Sequence, residues 1–309
     1  MLTSALLVLG AYASAGPANY LFLDFDARST PPALLERKDI AGFQVIYSWR
    51  SLEPEKDRYD FSAIESDLKL AASYHKKLFI QIQDRFFRVQ DRLLPDYLLR
   101  DPAYGGGLAP QTDHPGEGKP VALGWVAEQW NPNVRHRFQK LLGELGRRFD
   151  GRVEGINLPE SAAEIEDLPS FSASDYFNAE IENAGAARRA FQKSFVVQYI
   201  NFWPGEWEND HGFMAKSFEF AAKNHLGVGG PDIVPNQKAH MKNAYPFFHQ
   251  YRGRLPIVAM AVQEPTLTYI NPATHKPFTK AEIVDFATGY LGANVIFWTP
   301  SAPWLKAGF

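Results

Sequence analysis

Short apolar runs alternate with longer amphipathic stretches along the chain. Eight runs recur, at residues 20–24, 42–47, 78–83, 153–158, 194–200, 227–234, 256–263 and 294–298. Val, Ile, Phe and Tyr dominate most of them, and these residue types favour strands. Unbroken apolar runs of this length suit parallel strands buried on both faces. The sixth run, Gly-Val-Gly-Gly-Pro-Asp-Ile-Val, is the weakest, because glycine and proline disfavour a strand interior. Between the runs, apolar residues at helical spacing predict helices over 61–74, 135–149, 213–224 and 279–291. Ser62 with Glu65, and Thr279 with Glu282, have the spacing of a capping box.

Strands alternating with helices imply a parallel sheet. A doubly wound open sheet competes with a closed barrel. Eight units favour closure, and no glycine-rich dinucleotide loop follows the first run. The predicted fold is therefore α/β, a single (β/α)8 TIM barrel over residues 16–309. In such a barrel the chemistry sits at the C-terminal ends of the strands. One connection breaks the rhythm. Residues 85–133 are rich in glycine and proline, and are expected to form a long loop over that rim.

Composition removes several function classes. A net charge of −3 without a basic stripe argues against nucleic acid as a partner. The absence of cysteine excludes disulfides, thiol nucleophiles and thiolate metal sites. The eight histidines are dispersed and none has a zinc-binding spacing, so neither a metal nor a cofactor is expected. His211 and His240 follow the fifth and sixth runs and are candidates for touching a substrate. Residues 1–15 carry an apolar stretch ending in Ala13-Ser14-Ala15, which reads as a signal peptide and a secreted or periplasmic protein. The alternative is an N-terminal strand or helix closing the barrel bottom. No other segment approaches membrane-spanning length.

The fourth and seventh runs lead to Glu160 and Glu264. Two carboxylates facing one cleft are the minimum equipment for cleaving a glycosidic bond. Pro265 predicts an extended backbone at Glu264. The plainer readings are a solvated acid at a helix start for Glu160 and a rim ion pair for Glu264. All seven tryptophans follow strand ends: Trp49, Trp125, Trp130, Trp203, Trp207, Trp298 and Trp304. Flat aromatics suit the apolar faces of sugar rings, and they also pack loops onto a barrel, so half are expected in each role. Arg50 could hold Glu264 ionised through a bidentate pair, or make an ordinary salt bridge.

This arrangement resembles the large clan of retaining glycoside hydrolases with (β/α)8 barrels, whose acid/base Glu ends strand four and whose nucleophile Glu ends strand seven. The segment from Trp49 to Phe61, Trp-Arg-Ser-Leu-Glu-Pro-Glu-Lys-Asp-Arg-Tyr-Asp-Phe, looks like the stretch after strand two in those enzymes. The resemblance implies acid/base Glu160, nucleophile Glu264 and a sugar platform at Trp298. The clan has Asn before its acid/base Glu; here Pro159 stands there, so either Asn157 supplies that sugar contact or it is absent. The expected protein is a monomer that cleaves a β-linked oligo- or polysaccharide with retention. A carbohydrate-binding barrel without catalysis is the alternative, and a metal-dependent hydrolase is disfavoured by the missing histidine pairs.

Overall fold

The computed structural model describes residues 16–113 and 121–306. The candidate signal peptide lies outside the described residues. Eight parallel strands close a barrel in chain order: β1 (Ala18–Phe22), β2 (Ile40–Ser48), β3 (Lys77–Gln83), β4 (Gly155–Leu158), β5 (Phe195–Tyr199), β6 (Gly227–Gly230), β7 (Val258–Val262) and β8 (Val295–Trp298). Closure is made by β1, where Leu21 pairs with Phe43 of β2 on one side and Trp298 of β8 on the other. Every strand was legible as an apolar run. The helices Ser62–Ser73, Pro132–Phe149, Phe213–Lys223 and Lys280–Phe286 answer the four predicted ones. Thr279 and Glu282 form the expected capping box. Ser62 does not cap; it begins the helix, and its N–H donates to Asp60 Oδ1 at 2.9 Å.

Alternation along each strand sorts side chains into two layers. Even-numbered residues of β1 and odd-numbered residues of β5, β7 and β8 fill the barrel interior; the others meet the surrounding helices. Tyr20, Phe79 and Phe297 pack edge to face at the barrel centre, with ring centroids 5.2–5.7 Å apart. Such bulk needs vacant space opposite. A Cβ on Gly155 would meet the Phe79 ring at 2.4 Å, and one on Gly229 would meet the Tyr199 ring at 2.8 Å. The glycines that weaken the sixth run as a strand are thus what lets the barrel hold its aromatic filling. The strand itself stops at Gly230, and Pro231–Val234 turn away from the sheet.

Above the aromatic layer the interior turns polar. Gln44 Nε2 donates to Gln81 Oε1, Asn157 Nδ2 donates to Gln44 Oε1, and Tyr199 Oη donates to Gln44 Oε1 at 3.0 Å. These bonds link the buried polar side chains to one another, and the girdle makes a floor for what lies above. The long connection after β3 is folded. Arg85–Phe86, Val121–Ala127 and Leu108–Asp113 form a three-stranded antiparallel sheet in that order, anchored by buried Leu108, Ala109, Val126 and Ala127.

Candidate functional site

A cavity of about 220 Å³ opens at the C-terminal mouth of the barrel. Its floor is Gln81 and Tyr199 of the polar girdle. Its walls include Phe22 and Asp24 from β1, Gln83 and Arg85 from the end of β3, Glu160, Pro231 and Gln263. The sequence expectation for Glu160 holds in position: it sits just past β4 and lines this central cavity.

Two neighbours fix its carboxyl. Asn201 Nδ2 donates to Glu160 Oε2 at 2.8 Å. Asn201 is itself held, because its Oδ1 accepts from the Ala162 N–H at 3.1 Å and the Phe202 N–H at 2.9 Å. Arg85 is fully buried beside it. The guanidinium donates to Ala162 O at 2.7 Å and Tyr176 Oη at 2.9 Å, and pairs with Glu180 at 3.3 Å and Asp84 at 3.4 Å. Such a many-pronged pairing is what a buried guanidinium needs. Burial pushes the Glu160 carboxyl up to about 7. The Arg85 charge and the Asn201 hydrogen bond pull against that rise, and the carboxylate of Asp232 adds to it. Asp232 lies two residues past β6, accepts from Thr266 Oγ1 at 2.8 Å, and is also raised by burial. Glu160 is therefore a carboxyl poised between its charged and neutral forms near neutrality, the condition for donating a proton.

Glu264 is placed differently. It is exposed and lines an adjoining cleft of about 780 Å³, together with Asp26, Thr299 and Ser301. That cleft shares Phe22, Asp24, Phe25 and Gln263 with the central cavity. Its backbone corrects the expectation of an extended conformation: φ −58° and ψ −44° are helical, and Glu264 starts the single turn Pro265–Thr268. Proline disfavours this conformation in the preceding residue without forbidding it. Here the turn is closed by the Leu267 N–H donating to Glu264 O at 3.1 Å. The residue of this segment that lines the central cavity is Gln263. It continues the inward series Ile257, Ala259 and Ala261, and its amide donates to Pro231 O at 3.0 Å.

The other sequence candidates divide sharply. Trp298 is fully buried on the helix-facing side of β8, where its Nε1 donates to Asn19 Oδ1 at 2.7 Å and its ring meets Trp304 edge-on at 5.0 Å. It is not a floor for the cavity; the even positions of β8 face outward. Trp49 is equally enclosed. Its Nε1 donates to Glu53 Oε2 at 2.9 Å, and Glu53 receives Arg137 from the helix before β4. The Trp-Arg-Ser-Leu-Glu segment is thus a clasp between two barrel units. Arg50 does not reach Glu264; it pairs with Asp96 at 2.9 Å and donates to Leu94 O at 2.7 Å. Asn157 lies buried in the polar girdle below the cavity. Trp130 and Trp203 pack into an aromatic cluster with Tyr176. Trp125 is clamped by Arg92 at 4.1 Å and bonds Val89 O at 2.7 Å. Only Trp207 stands exposed, at 46%. His240 is half-buried against Phe202 and Tyr245, and desolvation lowers it to about 4; His211 pairs with Asp210 on the surface.

Arg85, Asn201, Asp232 and Gln263 are not among the site candidates that the sequence singles out. Once the structure has set the inward phase, a period-two count places two of them: Asn201 follows Val197 and Tyr199 on the inward face of β5, and Gln263 follows Ala261 on β7.

No protein-family model and no curated protein matches the sequence. Among solved structures, the chain is similar to the catalytic domain of β-amylase from Paenibacillus polymyxa, with a TM-score of 0.61 and 8% identity over 92% of this chain and 93% of that one. It is also similar to a GH10 structure from Paenibacillus barcinonensis, with a TM-score of 0.52 and 15% identity over 94% and 86% of the two chains. A third likeness, to β-galactosidase from Bacillus circulans sp. alkalophilus, has a TM-score of 0.58 and 10% identity, and covers 92% of this chain but 50% of that one. At such identities the likeness establishes the architecture: this chain is a (β/α)8 barrel of the kind those proteins share.

Proposed function

We propose that this protein hydrolyses a glycosidic bond at the mouth of its barrel, with Glu160 as the proton donor. The observation that carries the reading is the state of that carboxyl: pinned by Asn201, flanked by Arg85, and raised to about 7 by burial on the wall of a cavity. Leaving-group protonation is the step such a group serves. The likeness to a β-amylase and a β-galactosidase supports the reading at the level of fold. The second carboxylate of the pair is assigned to Asp24, which occupies an inward position just beyond β1 and lines the same cavity. Retention through Glu264, which the family resemblance implies, would require its carboxylate to reach from the outer cleft past Gln263. Export, with residues 1–15 as a cleaved leader, is proposed alongside.

The test is reducing-end release from a panel of polysaccharides. Glu160→Gln and Asp24→Asn are each expected to lose at least about 100-fold in turnover. Glu264→Gln is expected to stay within about fivefold of wild type, a change of roughly 1 kcal/mol in the barrier. A Glu264→Gln loss as deep as that of Glu160→Gln would restore the retaining pair. Full activity in Glu160→Gln would end the proton-donor assignment, and no reducing-end release by the wild-type protein on any substrate would end the hydrolase reading.

A second reading has one observation in its favour. The residue of the β7 segment that lines the cavity is an amide, Gln263, and an amide cannot attack an anomeric carbon. A barrel that binds glycans without cleaving them would show polysaccharide binding and no reducing ends from the wild-type protein.

A further inference from the structure

The exposed aromatics of the described residues are few. They are Phe25, Phe87, Trp207 and Tyr269, each more than 40% exposed. Three of the four line cavities at the barrel mouth. Phe25 lies where the outer cleft meets the central cavity, since it lines both. Phe87 lines both the central cavity and a third one of about 350 Å³, formed by the sheet after β3 and the segments after β4 and β5. Trp207 lines this third cavity. The three cavities therefore lie in series, with Glu160 in the middle one and an aromatic residue at each junction.

Singly exposed rings are ordinary on a protein surface; what sets these apart is that three of the four line the adjoining cavities at the barrel mouth. These rings do not cluster into one patch, as a protein-docking face would. They are distributed along a trough whose lining mixes apolar side chains, such as Phe22, Ile46 and Leu123, with hydrogen-bonding ones. Asp24, Gln83 and Gln263 line the central part, and Thr112 and Asp113 line the third cavity. Alternating flat apolar faces and polar edges are what a chain of sugar rings presents in return.

Charge narrows the class. The basic residues lining the three cavities are Arg85 and Arg88. Arg85 is paired with Asp84 and Glu180, and Arg88 with Asp91 at 2.9 Å. Among the described residues, a polyanionic glycan would find carboxylates along this path and no cation outside an ion pair, so like charge would repel it.

We infer that the three cavities form one groove that binds an uncharged polysaccharide across Glu160, with Phe25, Phe87 and Trp207 as successive ring platforms. The inference rests on the carbohydrate reading of the site, yet it concerns binding and is separable from catalysis. A chain lying across the proton donor on both sides would be cut internally.

The experiment is affinity electrophoresis in gels containing mixed-linkage β-glucan, galactomannan or soluble starch, with polygalacturonate as the acidic comparison. The Glu160→Gln protein serves as the parent, so that turnover does not consume the polymer. At least one neutral polymer is expected to retard it, and polygalacturonate to leave it unretarded. Phe87→Ala and Trp207→Ala, added singly, are each expected to weaken retention at least about fivefold. Both side chains are exposed, so thermal melting should show unchanged folding. The groove is overturned if no neutral polymer retards the parent, if polygalacturonate retards it equally, or if both aromatic variants bind as the parent does. Reducing-end release by the wild-type protein decides the hydrolase reading separately: retention without release would leave the groove standing and remove the catalysis.

Discussion

Glu160→Gln should change stability in a way that depends on pH, and the sign is fixed by its environment. A carboxyl raised from its ordinary value of 4.5 to about 7 is one whose charged form the fold disfavours. Below the unfolded pKa both states hold the proton and the group is neutral in each. As pH rises through the folded value, the native state must either keep a proton that the unfolded state has released or bury a charge. Folding stability is therefore fully present below about 4.5, declines between about 4.5 and 7, and levels off above that, where both states have lost the proton. The difference, at about 1.36 kcal/mol per pH unit, corresponds to roughly 3 kcal/mol. The Glu160 side chain is only half-buried at the cavity wall, and solvent screening there makes this figure an upper bound. Glutamine imitates the neutral acid and can still accept from Asn201. The variant is expected to match wild type at pH 4 and to be more stable at pH 8 by about 1.5–3 kcal/mol, or several degrees in Tm for a domain of this size. Paired thermal scans at the two pH values, at one scan rate, measure it. A Tm difference that is the same at both pH values would show that Glu160 is not desolvated, and the proton-donor assignment would lose its basis.

Three further outcomes follow from packing. Glu53→Gln should destabilise the fold by about 3–5 kcal/mol, because it leaves the Arg137 charge without its buried partner; urea denaturation checks this, and a loss below 1 kcal/mol would contradict the clasp. Trp298→Ala should cost about 3–5 kcal/mol of stability as a buried cavity. Its effect on glycan binding should not exceed what that loss of folded protein explains, in contrast to the exposed Trp207. Arg85→Met should both destabilise the protein and move the alkaline limb of the pH–rate profile to higher pH, since the cation that lowers the Glu160 pKa is gone; an unmoved limb would separate Arg85 from Glu160.

The sequence by itself determined the barrel. Strands of a parallel sheet buried on both faces are mostly apolar, so β1 to β5, β7 and β8 announce themselves as predominantly apolar runs, and helical periodicity marks four of the intervening helices. One helix, Ala173–Ala190, escaped notice because its buried face carries Glu180 and Asn183, which break the apolar pattern and serve Arg85 and Gln129 instead. The place of Glu160 just past the fourth strand was also legible, because it follows directly on that apolar run. What only the tertiary structure decided is which side chains share the cavity. Residue order along β7 does not reveal whether Gln263 or Glu264 faces inward, because a shift of one residue exchanges the two faces. Nor does it reveal that Trp49 and Trp298 fall on the helix side while Phe25 and Phe87 stay in water. Burial, and with it the raised proton affinity of Glu160, comes from residues far apart in the chain, Arg85, Asn201 and Asp232, which only barrel closure brings together.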